Sequence, residues 1–115
     1  MPTLARLMNW YRSQCDGVWQ YRYGIRIHTL DNPGWSLYVD LHETCLAGRT
    51  ISTYLIEKTE DNWYFFSAKD NLFDAAGWPC NLSILIDNFS SFVEDEHLIC
   101  EADRVAMIRP EKALT

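Results

Sequence analysis

Two runs of alternating apolar and polar residues flank a corner of turn-forming residues, and this pattern constrains the fold more than any other feature. The first run spans residues 18–29 (VWQYRYGIRIHT) and the second spans residues 35–42 (WSLYVDLH). Strict alternation is typical of β-strands that bury one face. The segment between them, LDNPG at residues 30–34, is rich in residues that favour tight turns. The sequence therefore predicts an antiparallel β-hairpin.

The apolar face of this hairpin determines its register, because a slip of one residue moves every side chain to the opposite face. The predicted apolar pairs are Ile25 with Val39 and Ile27 with Leu37, closed by Thr29 with Trp35. The loop is then predicted to contain an odd number of residues, Leu30 to Gly34. In that loop Pro33 restricts φ, and Gly34 supplies a positive φ.

An amphipathic helix is predicted before the hairpin. Leu4, Leu7, Met8 and Tyr11 lie at the spacing of one helical stripe. Thr3 is the predicted N-cap, and the helix is predicted to end near Asp16-Gly17.

Two further strands are predicted after the hairpin, at residues 50–58 (TISTYLIEK) and 63–68 (WYFFSA), joined by a turn at Asp61-Asn62. Lys69 to Asn71 is predicted as a turn, followed by a short apolar stretch at Leu72-Phe73 and a loop at residues 75–81. A second helix is predicted to start at the N-cap Asn81, and its buried stripe comprises Leu82, Leu85, Ile86 and Phe89. Residues 98–107 fit either a helix or an added edge strand.

These elements predict an α+β fold. The sheet is mainly antiparallel, with about four strands, and the N-terminal and C-terminal helices pack on one face. The opposite face is predicted to carry polar and aromatic side chains available to a partner: Arg22, Arg26, Tyr38, Asp40 and His42, with Arg22 opposite His42. Trp35, beside the loop, is a further candidate partner contact.

The charge of the chain restricts the class of partner. Its 115 residues suit one domain, residues 1–115, and its net charge is −6, from 16 acidic and 10 basic side chains. That balance argues against binding to nucleic acid, because phosphate groups need a basic surface. A cluster of acidic residues, Glu94, Asp95 and Glu96, is either a solvated surface or a patch that steers a basic protein partner.

A cytoplasmic location is expected from the rest of the chain. Residues 1–10 (MPTLARLMNW) are too short and polar for a secretory signal, and no apolar run is long enough to cross a membrane. The four cysteines are far apart in sequence and are expected to be reduced thiols without a metal.

No motif specifies an enzyme, so no catalytic residue, cofactor or metal ligand is predicted. The chain lacks GxSxG, P-loop and Rossmann glycine patterns, and its three histidines are not clustered. The alternative is a small enzyme or ligand-binding protein that uses the QCDG segment at residues 14–17 and the DNPGW segment at residues 31–35. In that case Cys15 and Asp16 would line a pocket with Arg22, Arg26 and Asp40.

Residues 9–41 (NWYRSQCDGVWQYRYGIRIHTLDNPGWSLYVDL) resemble the opening of immunity protein family 53, a bacterial family associated with polymorphic-toxin loci. The elements that carry the resemblance are Trp10, QCDG at residues 14–17, Trp19, YGI at residues 23–25, TLDNPGW at residues 29–35 and Asp40-Leu41. The similarity continues more loosely to about residue 93, and residues 94–115 form an acidic extension outside it.

This resemblance implies an immunity protein that binds and neutralises a cognate toxin domain without catalysis. The net charge suits a basic toxin such as a nuclease. Three positions depart from the family pattern. Val18 stands where the family usually has an acidic residue, and Gln20 and Tyr21 stand where it tends to have Glu and His. If these positions contact the toxin, the departures imply that this member recognises a different one.

Overall fold

The computed structural model describes residues 2–95 and shows an α+β fold. Five strands form one antiparallel sheet in the order β1-β2-β5-β4-β3, so the predicted fold class is confirmed and the sheet has one strand more than expected. The elements are α1 (Thr3–Gln14), α2 (Trp19–Arg22), β1 (Ile25–Leu30), β2 (Gly34–Asp40), β3 (Ile51–Thr59), β4 (Asn62–Lys69), β5 (Leu72–Gly77) and a third helix α3, described over residues 82–95. The alternatives for residues 98–107 lie outside the described residues.

The β1–β2 hairpin has the register predicted from its apolar face. Its pairs include Ile25 with Val39, Ile27 with Leu37 and Thr29 with Trp35. Pairing continues by one step to Leu30 with Gly34, so the loop contains three residues, 31–33, rather than five. The odd loop length is confirmed.

Gly34 is required for its small size, and not for the positive φ that the sequence suggested. Its φ is not in the positive region. A Cβ atom at residue 34 would lie 2.5 Å from the carbonyl oxygen of Gly77 in the neighbouring strand β5. The absence of a side chain therefore lets β2 and β5 approach each other at this point.

Strand β5 was not predicted as a full strand, yet it occupies the centre of the sheet. It continues past Leu72-Phe73 through Ala75, Ala76 and Gly77, all of which are buried. Small residues and Asp74 have little strand preference of their own. Hydrogen bonding to β2 on one side and β4 on the other places them in the sheet.

The turns on either side of β4 are both tight two-residue hairpin turns. Asp70 and Asn71 both have positive φ, 54° and 62°, which is the conformation of a two-residue type I′ turn. The predicted turn at Lys69 to Asn71 is thereby confirmed. The β3–β4 turn is formed by residues 60–61, and Thr59 pairs with Asn62, so the prediction at Asp61-Asn62 was wrong by one residue.

Residues 19–22 form the short helix α2 instead of the first part of a strand. Asp16 Oδ1 accepts hydrogen bonds from the backbone N–H groups of Val18 and Trp19, each at 2.9 Å, and Gly17 has φ of 96°. This local cap turns the chain into a helical turn and buries the Trp19 side chain. The predicted strand was therefore wrong over its first half.

Helix α1 lies where it was predicted, but its contacts differ. Pro2 occupies the N-cap position, and the Thr3 hydroxyl donates to Asp87 Oδ1 at 2.8 Å instead of capping the helix. Of the predicted stripe only Leu7 is buried, while Leu4, Met8 and Tyr11 are exposed.

The core lies between the two long helices and one face of the sheet. Leu7 from α1 and the buried stripe of α3 meet the inner residues of the central strands, among them Leu37, Val39, Phe73 and Ala75. The predicted α3 stripe is confirmed for Leu85, Ile86 and Phe89, and Leu82 is partly buried. Phe89 makes edge-to-face contacts with Trp10 and Phe73 at centroid distances of 4.9 and 5.1 Å. Both helices therefore cover the same face, as expected.

Candidate functional site

The face of the sheet turned away from the helices is called the open face here. Leu37 and Val39 point into the core, so Tyr38 and Asp40 lie on the opposite side of β2. The same register assigns to the open face Arg26 and His28 from β1, Tyr38 and Asp40 from β2, Leu72 and Asp74 from β5, Ser67 and Lys69 from β4, and Leu55 from β3. The placement predicted for Arg26, Tyr38 and Asp40 is correct.

Arg26, Tyr38 and Asp40 form one connected cluster on this face. The Arg26 guanidinium carbon lies 5.4 Å from the centre of the Tyr38 ring, and Arg26 Nη1 lies 3.9 Å from Asp40 Oδ2. The His28 ring stacks against the Tyr38 ring at a centroid distance of 5.7 Å. Asp40 Oδ2 also accepts a hydrogen bond from the backbone N–H of Gly24 at 2.9 Å. The cluster presents a cation and an aromatic ring in a defined orientation, and the Arg26 side chain is 59% exposed.

Asp74 lies at the centre of the open face, directly between Tyr38 on β2 and Ser67 on β4. It is half-buried, and this burial raises the pKa of its carboxyl group above the ordinary value for aspartate. A groove of about 650 Å³ opens beside it, bounded by Ser52 and Thr53 of β3 and by Ser67. Asp74 was not among the predicted site residues. The alternation of Asp74 with the apolar residues on either side, Phe73 and Ala75, is the sequence signal that points to it.

A second group of polar and aromatic side chains lies beyond the end of β2. The rings of Tyr23 and His42 stack at a centroid distance of 4.8 Å with an interplanar angle of 4°. Arg22 Nη1 lies 3.8 Å from Glu43 Oε2, and the Tyr23 hydroxyl donates to the same oxygen at 3.3 Å. His42 Nδ1 is buried and has no hydrogen-bond partner among residues 2–95.

The predicted cross-strand pair of Arg22 with His42 was wrong. Arg22 lies in helix α2, and His42 follows the end of β2. The segment that follows Arg22 is nevertheless joined to the end of β2, because the Asp40 backbone N–H donates to the Gly24 carbonyl at 3.0 Å.

The remaining candidate residues lie elsewhere. Trp35 is on the helix-covered side, packs against the core, and donates from Nε1 to the Pro79 carbonyl at 2.9 Å. Glu94, in the last described turn of α3, forms an ion pair with Arg6 of α1, and Asp95 is exposed. Glu96 lies outside the described residues. The structure therefore separates Trp35, Glu94 and Asp95 from the Arg26 cluster.

The two segments of the alternative enzyme hypothesis lie at opposite ends of the hairpin. Trp19 Nε1 donates to the His42 carbonyl, which places the QCDG end beside the last residues of β2. The DNPGW segment forms the turn before β2 and its first residues. Strand β2 has seven residues, and a strand rises about 3.3 Å per residue, so roughly 20 Å separates the two segments. They do not assemble one pocket.

The cysteines do not form a recognisable catalytic or metal site. Cys15 Sγ donates to the Tyr11 carbonyl at 3.3 Å, and Cys80 is exposed. Both are free thiols, whereas Cys45 is disulfide-bonded, so the expectation of reduced thiols was wrong for Cys45. Within residues 2–95, no three His, Cys, Asp or Glu side chains are grouped so that they could hold a metal ion.

No helix among residues 2–95 is long and apolar enough to cross a membrane.

Comparison with known proteins supplies the family. Neither a curated protein nor a solved structure shows a significant match to the chain. The family model described as immunity protein 53 matches residues 4–94, a span that includes all five strands and nearly all of α1 and of the described part of α3. The chain belongs to the immunity protein 53 family.

Proposed function

We propose that this protein binds and neutralises a cognate bacterial toxin domain, without catalysing a reaction itself. The observation that carries the proposal is the family match over residues 4–94. An immunity protein of this kind needs a surface that fits its toxin, and it needs no active site. The proposed functional unit is a single domain, residues 1–115, acting in the cytoplasm.

The open face is the proposed toxin-binding surface. Arginine and tyrosine are the side chains that most often dominate binding energy in protein interfaces. Arg26 and Tyr38 are held together by the cation–π contact, and Asp40 restrains Arg26 from the other side. Because these contacts order the side chains before binding, less conformational entropy is lost when the complex forms. Arg22 and His42 extend this surface beyond the end of β2.

The charge of the chain favours a basic toxin. A net charge of −6 attracts a positively charged domain and raises its association rate at low salt. Nucleases carry such basic surfaces because they bind phosphate groups. A basic, nuclease-type toxin therefore fits the charge, and nucleic acid itself does not. Asp95 and Glu96 remain candidate steering residues, while Glu94 is already paired with Arg6.

The test is coexpression with the toxin domain encoded beside the gene, followed by copurification and calorimetry. Rescue of growth and a stoichiometric complex are the expected results. The substitutions Arg26→Ala and Tyr38→Ala should each weaken the complex by at least about 10-fold, as expected for hot-spot side chains. Arg12→Ala is the matched control, since it removes the same exposed cationic group from α1, and we expect its effect to stay below about 2-fold.

The outcomes separate the function from its location. Continued killing of cells with no complex would refute the proposed function for that toxin. A tight complex that is unaffected by both open-face substitutions would retain the function and move the binding surface elsewhere on the molecule.

A further inference from the structure

Asp74 is a half-buried carboxylate without a partner among residues 2–95. In that part of the chain no hydrogen-bond donor and no cationic group binds its oxygens, and burial raises the pKa of its carboxyl group. Removing an ionised carboxylate from water without a compensating donor costs free energy. Because Asp74 is at the centre of the open face, between Tyr38 and Ser67, a molecule bound to this face would meet it directly.

The nearest basic residues on the open face do not neutralise Asp74. Lys69 lies diagonally across β4, since Lys69 pairs with Leu72 and Ser67 pairs with Asp74. It is exposed and forms no ion pair with Asp74. Arg26, two strands away, is directed to Asp40 and Tyr38. Lys69 itself lines the groove, together with the two acidic groups Asp70 and Asp74. The lining therefore keeps a net negative charge, and within residues 2–95 the Asp74 carboxylate is not ion-paired.

The shape of the groove suits a long cationic side chain. Its volume is about 650 Å³, and its edge at β3 coincides with a register irregularity between Ile51 and Tyr54. Such bulges bend an edge strand and redirect its side chains. Ser52, Thr53 and Ser67 offer hydroxyl oxygens, and Leu72 offers an apolar surface. A lysine or arginine could lay its methylene stem on Leu72 and donate its N–H groups to the oxygens.

We infer that the groove beside Asp74 receives a lysine or arginine side chain presented by the toxin domain. This inference rests on the proposed function, which supplies the partner. The pairing is a charge-assisted hydrogen bond made in a partly desolvated site, and such pairs contribute strongly to specificity. The pairing also agrees with the net negative charge of the chain, because the toxin domain supplies the cation that pairs with Asp74.

The experiment compares Asp74→Asn with the matched control Asp61→Asn by calorimetry against the toxin domain encoded beside the gene, at pH 7. Asn keeps the shape of the side chain and removes its charge. Asp61 lies in the exposed β3–β4 turn, so its replacement removes the same charge away from the groove. We expect Asp74→Asn to raise Kd by at least about 10-fold, because truncating one partner of a buried charge pair is costly, and Asp61→Asn to raise it by less than about 3-fold.

Thermal unfolding of the free variants distinguishes binding from folding. Asp74→Asn should leave Tm unchanged or raise it, since the substitution removes an uncompensated carboxylate from the folded state. Weaker binding accompanied by a Tm lowered by more than about 5 °C would mean that Asp74 supports the fold, which overturns the inference. Tight binding by the wild type and by Asp74→Asn alike would overturn the inference and leave the proposed function standing. No binding by the wild-type protein would overturn both.

Discussion

Gly34→Ala tests the close approach between β2 and its neighbour in the sheet, the central strand β5. The new Cβ atom would lie 2.5 Å from the Gly77 carbonyl oxygen, whereas real Cβ contacts essentially never fall below 3.0 Å. The two strands must therefore separate locally by at least the difference, 0.5 Å. The oxygen cannot retreat easily, because Gly77 is paired with Trp35 of β2 and with Tyr64 of β4.

The expected cost follows from this geometry. Overpacking in a well-packed interior typically destabilises a protein by about 1–3 kcal/mol. For a domain of about 100 residues each kcal/mol lowers Tm by about 4–8 °C, so Gly34→Ala should lower Tm by roughly 4–24 °C. The β1–β2 loop itself should be little affected, because Gly34 does not need a positive φ.

Gly24→Ala is the matched control for thermal denaturation followed by circular dichroism. It makes the same substitution at the other end of the hairpin, where a Cβ atom would meet nothing within 4 Å and φ is not positive. Its Tm should stay the same or rise slightly, because alanine restricts the unfolded chain. The reasoning is refuted if the two variants melt within about 2 °C of each other.

Two further predictions concern side chains that organise the ends of elements. Asp16→Ala should lower Tm at pH 7, and the difference should shrink as the pH falls below the ordinary aspartate range. The backbone N–H groups of Trp19 and Val18 lower the Asp16 pKa in the folded state, so its contribution is present above the unfolded value and lost as the pH falls through the folded value. A Tm difference that remains undiminished at pH 2 in a folded protein would contradict this. Asn81→Ala should lower the free energy of unfolding, measured by urea denaturation, by about 1 kcal/mol, because the buried Asn81 amide donates to the Trp63 carbonyl. The loss stays small because that carbonyl still accepts from the Trp78 backbone N–H. An unchanged urea midpoint would show that the Asn81 bond contributes nothing.

Several features could be predicted from local sequence because their physical causes are local. The register of the β1–β2 hairpin follows from alternation, since only one alignment buries Ile25, Leu37 and Val39 on the same face. The type I′ turn follows from Asp70-Asn71, because these residue types tolerate positive φ. The stripe of α3 follows from helical spacing, which brings Leu85 and Phe89 onto one face.

Other features depended on contacts between residues far apart in sequence. Residues 19–22 alternate like a strand, but a helical turn forms because the local Asp16 cap is reinforced by a distant contact, the hydrogen bond from Trp19 Nε1 to the His42 carbonyl. Thr3 is a residue type that favours the N-cap position, yet its hydroxyl donates a hydrogen bond to Asp87 of α3 instead. In each case a specific tertiary partner outweighed a weak local preference.

By itself, the sequence determined the α+β class, the hairpin register and the placement of Arg26, Tyr38 and Asp40 on one face, because side-chain alternation is an intrinsic property of an extended chain. Only the tertiary structure decided that Leu72–Gly77 is the central strand, because its small residues enter the sheet through pairing on both sides. That pairing also places Asp74 between Tyr38 and Ser67, where it is half-buried and has no ion-pair or hydrogen-bond partner within residues 2–95. Burial and the lack of a partner are properties of the assembled sheet, and no stretch of sequence carries them alone.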